Sequence, residues 1–243
     1  MPEKHQNQHN FFIVAYDIIL LRIFNVLMEE TMNIGSNLSS SFAYAKDGLV
    51  GHWVRWILLL ISCIIFPLIM GYQIRIMRGG ADTAPEADNW VKMLVDGILY
   101  IIIGIIYAIP LIIIAMVTMG PGLFALMSNP ADIATGLGAL GIGMIIFIIV
   151  GLIISLFETI AIVNFAREER FGAAFAFGDI LGKIKEIGWL SLFLQILVYG
   201  IVISIIQFVL MLIPIVGMLI LFILSPLFSM WYAKFVCNIY DNA

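Results

Sequence analysis

The residue in this sequence best suited to chemistry is an acid within an apolar segment. Glu158 follows Ile133–Phe157, a run without Asp, Glu, Lys or Arg, and the next charged residue is Arg167. On a helix these two residues lie roughly 13 Å apart. An ionisable group at this depth faces the interior of a helix bundle or a water-filled cavity, where it can bind a proton or a cation. The alternative is a structural acid that reaches the membrane interface or pairs with a Lys or Arg.

Uncharged polar side chains could continue a path that starts at Glu158. Tyr100 and Tyr107 share one face of a predicted helix, because residues seven apart return to the same side. Gln195 and Tyr199 are four apart on a later helix and share a face in the same way. Hydrogen bonding between neighbouring helices is the alternative use of such residues. The candidate polar pathway comprises Glu158, Thr159, Asn164, Tyr100, Tyr107 and Gln195.

Enzymatic chemistry has little support in the apolar segments. They contain no Ser-His-Asp set, no cluster of metal ligands and no pair of carboxylates, and His52 is the only histidine outside the N-terminal tail. We therefore predict no catalytic residue, no metal site and no cofactor.

A glycine-rich segment, Gly136-Leu-Gly-Ala-Leu-Gly141, matches the GxGxxG pattern of dinucleotide-binding proteins. That pattern binds pyrophosphate when it follows a strand and opens the helix of a soluble βαβ unit. Here the start of a helix precedes the pattern and an apolar segment follows it, so we exclude dinucleotide binding. Gly136, Gly143 and Gly151 are instead predicted to let another helix pack closely.

The composition is that of a membrane protein. Apolar residues make up 63% of the 243 residues and charged residues 12%, with a mean hydropathy of +1.10. Soluble domains have roughly 45–50% apolar and about 25% charged residues. A membrane span needs about 20 mainly apolar residues, and the apolar blocks lack the alternation of β-barrel strands. Five segments qualify as helical spans: Trp56–Ile74, Ile98–Met119, Leu137–Phe157, Ile187–Ile213 and Ile215–Ala233.

The sequence leaves a sixth span open. Phe11–Met28 is long enough to cross a membrane, but it contains Asp17, Arg22 and Asn25. Inserting an Asp or Arg at the centre of a span costs about 2.5–3.5 kcal/mol, whereas an apolar residue stabilises the inserted helix by about 0.3–0.6 kcal/mol. The summed free energy of inserting this segment is therefore near zero. We predict an all-α, polytopic helical transmembrane bundle of six spans, or of five spans plus an N-terminal interfacial helix. Residues 1–35 are predicted to form the tail and first apolar helix, and residues 36–243 a single multi-span membrane domain.

Two amphipathic surface helices are also predicted. In Ser36–Trp53 the apolar residues recur at helical spacing, and in Arg167–Glu186 they collect on one face while the charged residues take the other. The apolar stripe of the first helix comprises Leu38, Phe42, Ala45, Leu49 and Trp53.

Proline and glycine set the predicted ends of the spans. Pro67 lies inside the first span, and Gly120-Pro121-Gly122 ends the second at Met119. The third span is predicted from near Pro130 to about Ala166, and a hinge at Pro214 and Gly217 separates the last two.

The positions of Lys and Arg predict how the chain is threaded. The connector 75–92 contains three, the loop 167–186 contains four, and the Gly120–Gly136 loop contains none. Since cytoplasmic loops carry an excess of Lys and Arg, we expect both charged segments and the C-terminus in the cytoplasm. The expected partners are the lipid bilayer and either other membrane subunits or further copies of the chain. A net charge of −4 without a basic stripe excludes nucleic acid.

The connector and its neighbours contain a recognisable set of motifs. They are Gly71-Tyr72, Arg75, Gly80, Pro85-Glu86-Ala87-Asp88-Asn89-Trp90, Asp96-Gly97, Tyr107, Pro110, Phe42-Ala43-Tyr44, Trp53, Phe175-Ala176-Phe177 and Pro226–Tyr240. This set resembles an uncharacterised multi-pass membrane family, mostly archaeal, called domain of unknown function number four thousand and thirteen. The resemblance extends from about Leu38 to the C-terminus, leaves Phe11–Met28 outside, and implies neither an established activity nor functional residues.

These observations predict a non-enzymatic integral membrane protein, either permease-like or an accessory or scaffold subunit of a membrane complex. The alternative is a small-solute or ion transporter or channel that uses Glu158. A transporter predicts a hydrated cavity that reaches Glu158. An accessory subunit predicts an exposed groove within the membrane or a stripe of small residues that faces a partner.

Overall fold

The fold is helical throughout the residues that the computed structural model describes, which are 33–79, 82–128, 133–213 and 215–242. The all-α class predicted from the sequence is confirmed, whereas Phe11–Met28 lies outside the described residues. The elements in chain order are α1 Asn33–Leu49, α2 Trp53–Ile64, α3 Phe66–Met77, α4 Trp90–Ser128, α5 Ile133–Glu168, a 3₁₀ turn Phe171–Phe175, α6 Phe177–Ile187, α7 Trp189–Met211 and α8 Val216–Asp241.

The chain divides into two compact units, residues 1–40 and 41–243. In the first unit the structure describes residues 33–40, which are helical. The second unit contains the rest of α1 and helices α2–α8. The predicted division after residue 35 stays a prediction.

The helix predicted over Ser36–Trp53 ends earlier than predicted, and its position at a membrane surface stays a prediction. Gly51 adopts a φ of +86°, a conformation that glycine tolerates, and the chain turns there after α1 has ended at Leu49. Trp53 therefore begins α2 and is 64% exposed, while Ala45 and Leu49 of α1 are buried.

The prediction of one continuous span over Trp56–Ile74 is wrong. α2 ends at Ile64, and α3 begins at Phe66 with Pro67 in its first turn, where the missing proline N–H is not needed. Among the described helices, α3 has the largest share of buried residues. Its buried residues are Leu68, Ile69, Gly71, Tyr72, Gln73, Ile74, Ile76 and Met77.

α2 and α3 fold back on each other as a helical hairpin. Arg55 lies in the first turn of α2 and Arg75 in the last turn of α3, and both bind Glu86 of the connector. Arg55 Nη2 lies 2.5 Å from the Glu86 carboxylate, and Arg75 Nη1 donates to the Glu86 carbonyl at 2.7 Å. The hairpin therefore starts and ends beside the connector.

Two glycines allow α3 and α4 to cross at very short range. A Cβ on Gly71 would lie 2.5 Å from the carbonyl carbon of Met93, and a Cβ on Gly97 would lie 2.6 Å from that of Pro67. Any side chain at either position would collide with the backbone of the other helix. Both glycines belong to the motif that carries the family resemblance.

The predicted stop at Gly120-Pro121-Gly122 is wrong. α4 continues through Pro121 to Ser128, so most of the predicted Gly120–Gly136 loop is helix. Pro121 removes one backbone hydrogen bond, but Gly122 brings α4 against α5, where its Cβ would lie 2.7 Å from the Leu140 nitrogen. α5 begins at Ile133 among the described residues and ends at Glu168, and residues 129–132 lie outside them.

α7 and α8 form a long helical hairpin, and α6 precedes it in the chain. Ile180 and Ile184 of α6 are buried and Asp179 is exposed, while the position of α6 at a membrane surface stays a prediction. α7 and α8 approach closely at Gly217, where a Cβ would lie 2.7 Å from the Leu210 carbonyl carbon. α8 continues past Lys234, the predicted boundary, to Asp241.

α4, α5, α7 and α8 indicate a protein embedded in a membrane. Within the described ranges, these four helices are long and apolar enough to span, or up to five spans exist if the bent pair of α1 and α2 counts as one. α4 and α5 pack along each other, and α5 also meets α8. The α5–α8 contacts include Thr159 with Tyr232 and Arg167 with Cys237.

Candidate functional site

The carboxylate of Glu158 lies between α4, α5 and α8. Its Oε1 would be 3.2 Å from a Cβ on Gly104, so the bare backbone of α4 leaves room for the carboxylate. Glu158 is half-buried. Within residues 33–79, 82–128, 133–213 and 215–242, it forms no hydrogen bond and no ion pair. A carboxylate in this position needs a proton or a cation to balance its charge.

Tyrosines surround this carboxylate. Tyr100 and Tyr107 of α4 and Tyr232 of α8 all lie within electrostatic range of Glu158. The hydroxyls of Tyr232 and Thr159 are hydrogen-bonded, and Thr159 donates to the Ser155 carbonyl at 2.8 Å. Phenol oxygens can accept hydrogen bonds and aromatic rings attract cations, so the arrangement suits a proton or a small cation.

Two of the predicted pathway residues hold the 3₁₀ turn in place. Tyr107 donates to the Ala174 carbonyl at 2.8 Å, and Asn164 donates to the Ala173 carbonyl at 2.9 Å. Tyr240 in turn donates to the Asn164 side chain at 3.2 Å. The Tyr107 hydroxyl and the Asn164 amide N–H therefore bind backbone, while the Asn164 side-chain oxygen accepts from Tyr240.

Gln195 lies on α7, and its amide donates to Ser191 Oγ one turn earlier at 3.2 Å. Of the candidate pathway, the structure thus brings Glu158, Thr159, Tyr100 and Tyr107 together. Asn164 binds the 3₁₀ turn, and Gln195 bonds along its own helix.

Sequence reasoning missed two members of the Glu158 site. Gly104 lies between Tyr100 and Tyr107 on the same helical face, so its spacing was a usable signal. Tyr232 carried no such signal, because it comes from a helix far along the chain.

An apolar cavity of about 390 Å³ lies beside the site, between α4, α5 and the 3₁₀ turn. Glu158 is not among the residues that line it. They are Ile106, Tyr107, Pro110, Ile153, Ile154, Phe157, Phe175 and Phe177.

The three glycines predicted to pack helices all face α4. A Cβ on Gly136 would lie 2.6 Å from Leu126 Cγ, and one on Gly143 would lie 2.7 Å from the Thr118 carbonyl carbon. A Cβ on Gly151 would lie 3.7 Å from Leu111, which is an ordinary contact. Gly143 therefore lies where the backbones of α5 and α4 approach closely, and Gly136 leaves room for the Leu126 side chain.

An ion-paired cluster joins the ends of α3, α4 and α5. Arg78 lies 2.6 Å from Asp96 and 3.5 Å from Glu169, and Lys92 lies 2.7 Å from Glu169. The hydrogen bond from Lys92 and the charge of Arg78 lower the pKa of the Glu169 carboxyl below its usual value. The connector and the loop after α5 are thereby joined at the same end of the molecule.

The C-terminal end of α8 belongs to the same charged end. Arg167 pairs with Asp241 at 2.6 Å, and its guanidinium also lies 3.1 Å from Cys237 Sγ. A Cβ on Gly79, which has a φ of +73°, would lie 2.6 Å from Arg167 Nη2. We call this region, formed by residues 75–79, 82–96, 167–170 and 237–241, the polar end.

The fold and the site define a helical membrane protein with an ion-paired polar end and an acid between its helices that has no partner among the described residues. The profile of a family described as "Protein of unknown function (DUF4013)" matches residues 56–215, and the chain belongs to this family. Its relative MJ1189, an uncharacterised protein of Methanocaldococcus jannaschii, is 26% identical over 211 residues, which cover 85% of this chain and 67% of the relative. No solved structure matches the chain. The family resemblance read from the connector is therefore confirmed.

Proposed function

We propose that the protein is a non-enzymatic accessory subunit of a membrane complex, and that α5 docks against a membrane helix of another chain. The observation that supports this is an exposed face of small and aliphatic residues on α5. This docking face consists of Ala134, Gly138, Gly141, Ile142 and Ile145.

The docking face has the properties that helix association in lipid requires. Lipid tails are as apolar as leucine, so exposed apolar area alone does not drive association, whereas small residues allow close backbone contact. No atom of the described chain lies within 4 Å of a Cβ on Gly138 or Gly141. Only 11% of the most apolar stretch of α5 is buried, so the helix has room for a neighbour.

The proposal includes an orientation in the membrane. The runs 97–128, 133–157, 189–211 and 216–233 contain no Lys or Arg, so the described basic residues flank the membrane helices. The ion pairs join the connector, the loop after α5 and the C-terminal end at one end of the molecule. The positive-inside rule assigns that polar end to the cytoplasm.

Site-specific photo-crosslinking in native membranes tests the docking face. We expect a photoreactive residue at Ile145, which is 59% exposed, to form an adduct with a second polypeptide. The matched control at Ile205 of α7, which is 58% exposed, should label lipid alone. A Gly138→Val substitution should abolish the polypeptide adduct by blocking close approach.

The mass of the adduct identifies the partner. A doubled mass assigns a second copy of this chain, and any other discrete mass assigns a different subunit. Lipid adducts at both positions, an adduct that survives Gly138→Val, or a crosslink to Phe11–Met28 of the same chain would each overturn the proposal.

Glu158 supports a second candidate, which is proton- or cation-coupled movement of a small solute. Its carboxylate has no partner in the described chain and lies among three tyrosines. We expect Glu158→Gln to abolish proton or cation flux in proteoliposomes, while the exposed-site control Glu186→Gln retains it. Equal flux in both variants, or no flux above that of empty liposomes in the unmodified protein, would remove this candidate.

A further inference from the structure

Aromatic rings form half of the lining of the apolar cavity beside Glu158. The cavity measures about 390 Å³, which lies within the range of small-ligand sites. A closed apolar cavity of about 150 Å³ can hold benzene, so this cavity has room for a ligand larger than one ring. Its aromatic lining residues are Tyr107, Phe157, Phe175 and Phe177.

Contacts behind the cavity hold these rings in place. The Tyr107 hydroxyl donates to the Ala174 carbonyl at 2.8 Å, and the Tyr107 ring stacks on Phe175 with centroids 5.8 Å apart. Phe157 packs against Trp189 of α7 as a T-shaped pair with centroids 5.7 Å apart. The cavity is therefore formed before a ligand binds, which lowers the entropic cost of binding.

Glu158 lies at one end of this cavity. A Cβ on Gly151 would contact Leu111, and a Cβ on Gly104 would lie 3.2 Å from the Glu158 carboxylate. The lining residues of α4 and α5 all lie between these two contacts. On α5, Glu158 follows the lining residue Ile154 by four residues on the same face, which is about 6 Å along the helix axis. Its charge is therefore close to a ligand in the cavity, although its side chain is not part of the lining.

The charges at this end favour a cation. Glu158 has no partner among the described residues, and residues 97–128 and 133–166 contain no Lys, Arg or His. The faces of aromatic rings attract cations, most strongly where water is excluded. The carboxylate and the rings therefore both favour a positively charged ligand.

The lining also limits the kind of cation. Of the described residues that line the cavity, Tyr107 alone has a polar side chain, and its hydroxyl hydrogen is already bonded. An ammonium group with N–H donors would leave some of them without an acceptor, which costs free energy. A quaternary cation has no such donors, because carbon surrounds its charge.

The cavity is open on one side. Its lining residues Ile106 and Ile153, on the membrane helices α4 and α5, are 37% and 46% exposed. A ligand that enters between these residues passes through lipid and must be lipophilic. A lipid tail itself gains little by entering, because the surrounding membrane is as apolar as the cavity.

We propose that the cavity binds a lipophilic quaternary cation that carries an aromatic ring. The ring packs among Phe157, Phe175 and Phe177, and the positive charge lies at the Glu158 end. This proposal rests on the Glu158 candidate of the proposed function and deepens it, because it names the class of solute.

Equilibrium binding to the full-length protein in phosphatidylcholine nanodiscs tests the site, with binding to empty nanodiscs subtracted. The probes are phenyltrimethylammonium and tert-butylbenzene, which have the same shape and differ in charge. We expect the unmodified protein to bind the cation about tenfold or more tightly than the neutral probe. Equal affinities, or no binding above that of empty nanodiscs, overturn the proposal.

Two substitutions locate the bound cation. Glu158→Gln should weaken cation binding about tenfold and leave the neutral probe unchanged, whereas Glu186→Gln, at a side chain that is 61% exposed, should change neither. Phe175→Leu removes one ring and should weaken cation binding about threefold or more. Its matched control is Phe208→Leu at a residue of α7 that is 68% exposed. Unchanged cation affinity in either Glu158→Gln or Phe175→Leu overturns the proposal, and the two-probe comparison decides it even if both variants fail to fold.

The proteoliposome flux assay separates this site from the transport candidate. Cation binding with the expected preference but without flux removes the transport candidate and leaves the site in place. Flux that depends on Glu158 without binding of phenyltrimethylammonium overturns the site and leaves the transport candidate in place.

Discussion

Replacing Gly97 by alanine tests the α3–α4 crossing most directly. A Cβ there would lie 2.6 Å from the carbonyl carbon of Pro67 and 2.9 Å from the nitrogen of Gly71, where ordinary contacts begin at 3.4 Å. The carbonyl oxygen of Pro67 would lie closer still, so the two helices must separate by more than an ångström. Both obstructing groups are backbone, so no side chain can rotate away.

The expected cost lies at the upper end of the range for overpacking, about 3 kcal/mol. For a chain of this size, this corresponds to a fall in melting temperature of about 6–12 °C. Unfolding in detergent can be followed with a thiol-reactive dye, because Cys237 is only 1% exposed and reacts once the fold opens.

Gly200→Ala on α7 is the matched control, because no described atom beyond the backbone of α7 itself lies within 4 Å of a Cβ at that position. It should melt at or slightly above the temperature of the unmodified protein, since alanine favours helix. If Gly97→Ala melts within about 2 °C of the unmodified protein, the close crossing of α3 and α4 is refuted.

Two further predictions concern the polar end and the 3₁₀ turn. The lowered pKa of Glu169 means that its ion pairs stabilise the fold fully above its unfolded pKa, about 4.3, and that this stabilisation is lost as the pH falls through the folded pKa. Glu169→Gln should therefore lower the melting temperature near pH 7 but not near pH 3, and an equal difference at both pH values would contradict this. Tyr107→Phe removes the hydrogen bond to Ala174 and should destabilise by about 1 kcal/mol. Faster amide hydrogen exchange across residues 171–175 would support it, and unchanged exchange there would count against it.

The four long membrane helices were predictable because their signals are local. Length and hydropathy within one segment decide whether it becomes a membrane helix, and both are visible in the sequence. The segments predicted as Ile98–Met119, Leu137–Phe157, Ile187–Ile213 and Ile215–Ala233 accordingly lie almost wholly within α4, α5, α7 and α8.

The two prolines behave in opposite ways, and the sequence did not distinguish them. Pro67 begins a new helix because the chain folds back so that Arg55 and Arg75 both reach Glu86. Pro121 stays inside a helix because Gly122 next to it packs against α5. Both outcomes depend on residues distant in sequence, which proline alone does not reveal.

The candidate site was predictable in part for the same reason. Glu158 stands out locally, since a long run without charge precedes it. Gly104 and Tyr232 reach it from other helices, and only the packing brings them there. Asn164 was assigned to a pathway, whereas its amide binds the Ala173 carbonyl, and a backbone acceptor leaves no trace in the sequence.

The fold-back of α2 and α3 has a consequence for how many times the chain changes sides. On the proposed membrane orientation, that hairpin and each of the pairs α4–α5 and α7–α8 would return to the side from which they start, so the chain from Trp53 to Asp241 would cross an even number of times. A reporter inserted at Ala87 and one fused after Asp241 should therefore signal from the same compartment. A continuous crossing over Trp56–Ile74 would leave that agreement intact but would move the segment before Trp53 to the opposite compartment.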